Sequence, residues 1–233
     1  MSSTPQKPFT RRWFFLWGGG ALATAAAGGL AWQFRPTRTL AFPETTLGAA
    51  GPERKNLLIV YGSGFGTTAE QALWIGEAAA QAGYAVQVAR AENAPAADAF
   101  DAVVLGSAIR SSKWMPDVVG WAADNRAALA QKPCALFEAS MGVAGALQGA
   151  PDHTLTASHI EKMKRYRAGL IEAVPSLASA PIAHLPGCLD YDLLSPMMRI
   201  VFPFASGTIF SGDFRDRQMV NAFADTALRS FSA

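Results

Sequence analysis

The sequence has few of the residues that build metal centres and disulfide frameworks. Among 233 residues there are two cysteines and three histidines. Two thiols are too few for a disulfide-dense scaffold or for a four-cysteine zinc site. The histidines, His153, His159 and His184, are scattered and form no HExxH pattern. We therefore predict neither a structural zinc centre nor a hydrolytic metal centre.

Charged residues are also scarce, and they are unevenly placed. They make up 16% of the chain, whereas hydrophobic residues make up 50%, a composition that argues against disorder. The first 38 residues carry five basic side chains and no acidic one, which leaves 15 basic and 18 acidic residues in the remainder. A slightly acidic body lacks the excess cations that displace counterions from phosphate backbones, so nucleic-acid binding is not predicted.

The basic N-terminus resembles an export signal. Arg11 and Arg12 precede a Gly- and Ala-rich apolar stretch at 13–32, an arrangement typical of twin-arginine signals. The small residues Ala25–Ala27 would suit a signal peptidase. A retained anchor is the alternative, because the twenty residues of that stretch would just span a hydrocarbon core of about 30 Å. We predict that residues 1–34 are a twin-arginine signal or anchor. The protein would then be periplasmic or attached to the outer face of the cytoplasmic membrane.

A linker and one α/β domain follow the leader. Residues 35–55 contain Pro36, Pro43 and Pro52 without any periodicity, which predicts a tether. Across 56–233, short apolar runs alternate with amphipathic helical stripes. This alternation predicts a parallel sheet covered by helices on both faces.

The individual elements can be placed along the chain. Strands are predicted at 56–61, 85–88, 102–105, 134–137 and 181–185. Helices are predicted at 67–82, 116–130, 159–173 and after Asp213, which is a plausible N-cap. In such a sheet Cys134 and Cys188 lie at opposite ends of the strands, so no disulfide is expected between them. Cys188 would then lie at the carboxyl end of the sheet, where it could be reactive.

A loop rich in glycine and hydroxyl groups joins the first strand to its helix. It reads GSGFGTT at 62–68, and amide groups at a helix N-terminus favour an anion. The loop lacks the Gly-Lys-Ser/Thr of a Walker A motif, and its glycine spacing does not match the dinucleotide fingerprint GxGxxG. It therefore suits a phosphate monoester. The alternative is that the glycines serve only the strand-to-helix turn.

Three segments together resemble flavodoxin-like proteins. The segment SGFGTT at 63–68 matches the flavodoxin phosphate-loop pattern Ser/Thr-x-x-Gly-x-Thr. VVLGSAIR at 103–110, followed by Trp114, and SGDFR at 211–215 are similar to the menaquinone-dependent protoporphyrinogen oxidase branch of these proteins. The resemblance covers residues 56–232.

The resemblance implies a flavodoxin-like sheet of five parallel strands in the order 2-1-3-4-5, with FMN across the carboxyl ends of the strands. The implied cofactor-binding residues are Ser63, Gly64, Phe65, Gly66, Thr67, Thr68, Ser107, Ala108, Ile109, Arg110, Trp114, Ser140, Met141 and Gly142. Trp114 would stack on the flavin or lie in the core. Arg110 would contact the reduced flavin or an acidic substrate, or face the solvent.

Apolar residues crowd together at 193–204, where leucine, methionine, isoleucine, valine and phenylalanine predominate. One interpretation is an amphipathic patch that meets a quinone or a membrane surface. The other is a helix that begins at Ser195 and Pro196 and packs on the domain edge. Together with 13–32, this segment is a candidate for membrane association.

The function implied by the resemblance is an FMN-dependent oxidoreductase, quinone-linked and similar to protoporphyrinogen oxidases. Two alternatives remain open. One is a non-catalytic FMN electron carrier of the flavodoxin type, although such carriers usually show a strongly acidic face. The other is a binding module that retains the fold without a flavin. No pattern identifies a catalytic residue, and the electron donor and acceptor stay unassigned.

The export prediction can be tested with a charge-preserving change. Arg11→Lys together with Arg12→Lys should retain the protein in the cytoplasm, because the paired guanidinium groups are lost while the positive charge remains. Cell fractionation with immunodetection measures the distribution. Arg35→Lys with Arg38→Lys, the same chemical change beyond the apolar stretch, serves as the control and should be exported. Normal export of the first variant would indicate the general secretion route instead.

Overall fold

The structure, a computed structural model, describes residues 42–49, 51, 53–150, 154–190 and 212–232. The strands in these residues are β1 Thr45–Leu47, β2 Asn56–Gly62, β3 Ala85–Arg90, β4 Ala102–Arg110, β5 Lys113–Trp114, β6 Cys134–Ser140, β7 Ile182–Pro186, β8 Cys188–Leu189 and β9 Gly212–Asp213. The α-helices are α1 Thr67–Gln81, α2 Pro116–Asp124, α3 Arg126–Leu129, α4 Met141–Gly149, α5 Ala157–Tyr166, α6 Ala168–Ala173 and α7 Arg217–Ser230.

Parallel strands form the middle of the main sheet, in the spatial order β3-β2-β4-β6-β7. Counted in chain order, this is the predicted order 2-1-3-4-5, and the flavodoxin-like fold is confirmed. The strand β2 is buried from Leu57 to Gly62 without any alternation of exposed residues. A continuous apolar strand is expected where helices cover both faces of a parallel sheet.

Two hydrophobic clusters lie on opposite faces of this sheet. On one face Ile59 and Phe137 pack in the same cluster as Ile75 of α1 and Phe223 of α7. On the other face the adjacent strand positions pack with α2 and α6, in a cluster that includes Leu58, Leu136, Val118 and Leu170. Consecutive residues of one strand thus pack on opposite faces of the sheet, because the side chains of a strand point alternately to its two faces.

An additional antiparallel strand, β1, lies at the β3 edge of the sheet. It falls inside 35–55, so the prediction of an unstructured tether is wrong for this part. Specific contacts hold the segment, because the Tyr61 hydroxyl donates to the Pro43 carbonyl oxygen at 2.9 Å. In addition, the Arg90 guanidinium lies 4.5 Å from the centre of the Phe42 ring. A strand of three residues is too short to show a periodicity in the sequence.

Two predicted helices are each divided in two. The helix predicted at 116–130 is interrupted at Asn125, whose side-chain amide donates to the Trp121 carbonyl oxygen and accepts from the Ala97 amide, both at 2.8 Å. The helix predicted at 159–173 is interrupted at Arg167. Asparagine side chains compete with helical backbone bonds in this way, which explains the first break.

The last helix begins later than predicted. Its N-cap is Asp216, whose carboxylate accepts hydrogen bonds from the Gln218 and Met219 amides at 2.7 and 3.3 Å. Asp213, the predicted cap, belongs instead to the short strand β9. Both aspartates precede the same apolar stripe, so the sequence alone does not show which of them caps the helix.

Several predictions concern residues outside those that the structure describes, among them the export signal at 1–34 and the apolar segment 193–204. Within the described residues, no helix combines the length and apolar character that crossing a membrane requires. No group of three or more histidine, cysteine, aspartate or glutamate residues in the described part of the chain is arranged to hold a metal ion.

The two cysteines lie far apart, and both are free. Cys134 begins β6, whereas Cys188 follows the end of β7, whose Pro186 pairs with Ser140 at the other end of β6. Six residues of strand correspond to about 20 Å, and a disulfide requires Cα atoms within about 7 Å. Burial raises the pKa of the Cys188 thiol, and Asp213 raises that pKa further. The expectation that Cys188 is reactive is therefore not supported by its surroundings.

Thiol titration tests this arrangement. The unfolded protein, without reductant, should show two free thiols. In the folded protein Cys134 should stay unreactive near neutral pH, because burial raises the pKa of its thiol to about 12 and the thiolate is the reacting form. An intramolecular Cys134–Cys188 link detected by mass spectrometry would contradict the strand register described above.

Candidate cofactor site

The loop 62–68 lies at the carboxyl end of β2, where α1 begins. Gly66 is the N-cap of α1 and has a φ of 82°, in the left-handed region that glycine adopts without a steric penalty. No side chain caps this helix N-terminus. The first-turn amides of α1 therefore remain available to an anion, and the helix dipole favours one.

Two buried hydroxyl groups in the loop lack partners. Ser63 is 1% exposed and Thr68 is 0% exposed. Neither Ser63 Oγ nor Thr68 Oγ1 has a hydrogen-bond partner among the described residues. Leaving a buried polar group unsatisfied costs about 1–3 kcal/mol, so an acceptor bound in the loop would offset this cost. Two hydroxyl donors beside free helix amides fit a phosphate group.

A close approach of α2 to the loop depends on Gly62. A Cβ atom at this position would lie 2.6 Å from Val118 Cγ2 and 3.0 Å from Asp117 Oδ1. Both of these residues belong to the first turns of α2. The absence of a side chain at Gly62 therefore allows the N-terminus of α2 to pack against the start of the loop.

Thr67 and Gln71 connect α1 to the turn that follows β7. The Thr67 hydroxyl donates to the Cys188 carbonyl oxygen at 3.3 Å, and Gln71 Nε2 donates to the Pro186 carbonyl oxygen at 2.9 Å. The Thr67 hydroxyl was expected to serve a ligand, and the structure uses it within the protein instead. Gln71 was missed, although a polar residue on the buried stripe of α1 was a readable signal.

The segment after the third parallel strand, whose residues 107–110 and 114 are implied to bind the cofactor, forms a β-hairpin. The strand β4 continues to Arg110, and β5 returns beside it, with Arg110 opposite Lys113. The turn residues Ser111 and Ser112 have φ values of 50° and 59°. Consecutive positive φ values are typical of the type I′ hairpin turn. Ala108 and Ile109 are half-buried and Arg110 is exposed, so this cation lies at the solvent side of the hairpin.

Ser107 stabilises the hairpin through two hydrogen bonds of its side chain. Its hydroxyl accepts a hydrogen bond from the Met115 amide and donates to the Ala108 carbonyl oxygen, each at 2.8 Å. The Ser107 side chain is therefore already satisfied within the protein. Its contribution to a ligand site is to fix the two ends of the hairpin.

Trp114 lies in the core, as the alternative interpretation expected. Its side chain packs in the cluster of α2 and α6 and is 3% exposed. The indole Nε1 donates to Glu138 Oε2 at 2.9 Å, and Glu138 Oε1 lies 2.8 Å from His184 Nδ1. The sequence interpretation missed Glu138 and His184, although a single carboxylate inside the apolar strand CALFEAS was a readable signal.

The implied cofactor-binding residues after the fourth parallel strand, 140–142, lie at the start of α4. Ser140 is the N-cap of this helix, and its Oγ accepts from the Val143 amide at 3.1 Å. Met141 is half-buried and Gly142 is exposed. The Gly187 amide donates to the Ser140 carbonyl oxygen at 3.1 Å, so the turn after β7 also supports this segment.

The structure therefore brings the predicted segments to one edge of the sheet. They follow β2, β4 and β6, which are neighbouring parallel strands whose carboxyl ends meet at that edge. Ligands of open α/β sheets bind at this edge. Phe65 in the phosphate loop is 41% exposed and Gly64 is half-buried, so both are open to a ligand.

Two residues of the SGDFR pattern, Asp213 and Arg215, form a cluster of ion pairs beside α1. The Arg215 guanidinium bonds to Asp213 at 2.7 and 2.5 Å and also contacts the Glu70 carboxylate in the first turns of α1. The hydrogen bond from Arg215 holds the pKa of Asp213 below its usual value. This cluster fixes β9 beside the phosphate-loop helix.

The sequence was also compared with known proteins. The family model described as "Flavodoxin domain" matches residues 58–204, which is more than half of the chain. The chain belongs to the flavodoxin-domain family. No curated protein matches its sequence.

Solved structures that resemble this flavodoxin domain include three redox proteins of low sequence identity. Oxidised Flavodoxin 1 from Bacillus cereus is 13% identical, with 76% of this chain and 97% of that chain covered and a TM-score of 0.43. Two-electron reduced Megasphaera elsdenii flavodoxin is 19% identical, with 72% and 98% covered and a TM-score of 0.38. Rubredoxin oxygen:oxidoreductase from Desulfovibrio gigas is 12% identical, with 76% and 37% covered and a TM-score of 0.41.

FMN is the cofactor of flavodoxin-fold proteins, and the residues present here fit it. The fit rests on the partnerless hydroxyls of Ser63 and Thr68 and on the uncapped N-terminus of α1. No lysine or arginine occurs within 62–68. Hydroxyls and amides are thus the donors within the loop that could bind a phosphate.

Removing these donors should abolish FMN binding. We expect Thr68→Val to weaken FMN binding at least about tenfold, because it deletes one hydrogen bond to a charged group and leaves the shape unchanged. Adding Gly66→Asp should eliminate flavin from the purified protein, since aspartate places a negative charge and a Cβ at a positive φ. Flavin per protein, measured by absorbance, reports both effects.

A matched control exists on α7. Thr226→Val removes an exposed hydroxyl that donates to the Ala222 carbonyl oxygen at 2.9 Å, away from the loop. This variant should retain its flavin. An unchanged flavin content in the Thr68 and Gly66 double variant would show that the phosphate is bound elsewhere.

Proposed function

We propose that the protein is an FMN-dependent oxidoreductase that exchanges electrons with a quinone, similar to menaquinone-dependent protoporphyrinogen oxidases. The single observation that supports FMN dependence is the pair of buried hydroxyls without partners beside the uncapped N-terminus of α1. The quinone is supported by the resemblance of 103–110 and 211–215 and by the apolar segment 193–204. Bound FMN would supply hydride and single-electron transfer chemistry.

The chain's own residues would bind and orient the cofactor. Ser63, Thr68 and the first amides of α1 would hold the phosphate. The hairpin at 107–115 and the N-terminus of α4 would flank the ring, since both follow strands adjacent to β2. The positive end of the α4 dipole favours negative charge at this edge of the sheet. Arg110 adds an exposed cation that an acidic substrate would meet.

The strands that flank the apolar segment 193–204 in the sequence lie near the proposed cofactor site. The strands β8 and β9, which precede and follow it, pair Leu189 with Gly212. β8 lies beside the phosphate loop, because the Cys188 carbonyl accepts from Thr67. The described strands on either side of this segment in the chain thus lie at the cofactor edge of the sheet, where a quinone would exchange electrons.

We also propose that the protein works outside the cytoplasm. The support is the paired Arg11 and Arg12 before the apolar stretch 13–32. A protein exported after folding would carry its cofactor with it. Anchoring through 13–32, contact through 193–204, or both would keep the cofactor edge near the membrane in which quinones dissolve.

A turnover assay separates this proposal from the alternatives. The FMN-loaded protein should catalyse many cycles of quinone reduction by a porphyrinogen, with a fluorescent porphyrin as the product. Reduction of only as much quinone as the bound flavin can reduce once would instead support a non-catalytic carrier. A colourless protein that binds no added FMN would support a flavin-free module.

The quinone site has its own test. Met197→Glu together with Met198→Glu should raise the KM for a quinone, because charges would replace apolar contacts in 193–204. Flavin content and turnover with a water-soluble acceptor such as ferricyanide should not change. An unaltered KM for the quinone would argue that this segment packs on the domain and does not meet the acceptor.

A further inference from the structure

A carboxylate lies inside the apolar core near the carboxyl end of β6. Glu138 is 0% exposed, and it shares its strand with the fully buried Leu136 and Phe137. Both of its oxygens are engaged, one by Trp114 Nε1 at 2.9 Å and the other by His184 Nδ1 at 2.8 Å. Burying a carboxylate is costly even when it is paired, and an apolar residue often serves stability equally well. Any role other than stability must follow from what Glu138 contacts.

The two partners of Glu138 come from elements that are not adjacent in the sheet. Trp114 is the last residue of β5, the return strand of the hairpin, whereas His184 lies on the edge strand β7. Glu138 lies between them on β6, directly opposite His184 in the parallel register. The carboxylate thus links the hairpin to the main sheet through the tryptophan side chain.

Apart from the Ser107 hydrogen bonds that join its two ends, few features of the hairpin's own sequence favour its conformation. Its ladder consists of two residue pairs, Ile109 with Trp114 and Arg110 with Lys113. The turn places Ser111 and Ser112 at φ values of 50° and 59°. Positive φ is unfavourable for residues with a Cβ, and type I′ turns prefer asparagine and glycine. Strain of this kind persists where surrounding contacts impose it.

We propose that Glu138 is a positioning residue for the ring half of the FMN site. It holds the Trp114 indole, and with it the hairpin 107–115, against the sheet at the edge where the cofactor would lie. His184 fixes the orientation of the carboxylate from the other side. This inference rests on the proposed FMN site, and it assigns to Glu138 no contact with the cofactor itself.

The carboxylate can be removed in two ways. Glu138→Leu deletes both hydrogen bonds without leaving a buried charge. Glu138→Gln can preserve both, because its carbonyl oxygen accepts from the Trp114 indole and its amide donates to an unprotonated His184 Nδ1. The double variant Trp114→Phe with Glu138→Gln removes only the hairpin bond, again without an unpaired buried charge, and it replaces the leucine variant if that chain does not fold.

Two measurements report the hairpin and the site separately, and the first applies to the variants that keep Trp114. The first is hydrogen exchange of the Trp114 indole N–H in the protein without flavin, followed by NMR. The second is a pair of affinities, one for FMN and one for inorganic phosphate. The leucine variant should exchange the indole proton rapidly and bind FMN about tenfold more weakly, because FMN binding would then have to order the hairpin that the bond from Trp114 to Glu138 holds in place. Its affinity for inorganic phosphate should not change.

The controls separate positioning from general stability. Glu138→Gln should restore slow indole exchange and the FMN affinity. Glu44→Leu removes another hydrogen-bonded carboxylate. Glu44 lies beside the outer strands β1 and β3, on the side of the sheet away from β7, and accepts from the Arg90 amide at 2.9 Å. This variant should alter neither measurement. Thr68→Val should weaken phosphate and FMN binding while leaving the indole proton protected.

The outcomes are distinct. Wild-type FMN affinity in a folded Glu138→Leu or double variant would overturn the proposal, and so would wild-type indole protection in Glu138→Leu. Equal loss of phosphate and FMN affinity in those variants would also overturn it, since a global effect would then be acting. Failure of the wild-type protein to bind FMN would refute the proposed function instead, and the indole exchange would still show whether Glu138 holds the hairpin.

Discussion

The uncapped N-terminus of α1, directly after the buried strand β2, is the feature on which the site depends. A buried parallel strand delivers its last residues to the sheet edge, and Gly66 in the left-handed region turns the chain into the helix there. The consequence is a helix N-terminus without a side-chain cap beside two buried hydroxyls that have no partner among the described residues. An anion bound here would accept hydrogen bonds from both.

The turn after β7 connects the parts of this site. Its carbonyl groups accept hydrogen bonds from Thr67 and Gln71 of α1, and the Gly187 amide donates to Ser140 at the start of α4. The same turn leads into β8, which pairs with β9. One short turn thus contacts the phosphate loop, the segment after β6 and the strands that bound the apolar segment.

The sequence predicted the strands and the phosphate loop because both depend on local patterns, whereas the strand order was implied by the resemblance to flavodoxin-like proteins. The apolar run of β2 and the loop 62–68 are continuous in the chain. The Trp114–Glu138–His184 group was not predicted, since its members lie on three different strands and meet only through the sheet register. The β4–β5 hairpin was also missed, because Ser111 and Ser112 are uncommon at positive φ and give no turn signal.

The most direct test of the account compares two ligands that differ only in the phosphate. The flavin-free protein should be titrated with FMN and with riboflavin, and flavin fluorescence quenching should report each dissociation constant. The account predicts that FMN binds at least about a hundredfold more tightly, because charge-assisted hydrogen bonds from Ser63, Thr68 and the α1 amides act only on the phosphate. Equal affinities, or no binding of FMN, would contradict the assignment of the loop as the phosphate site.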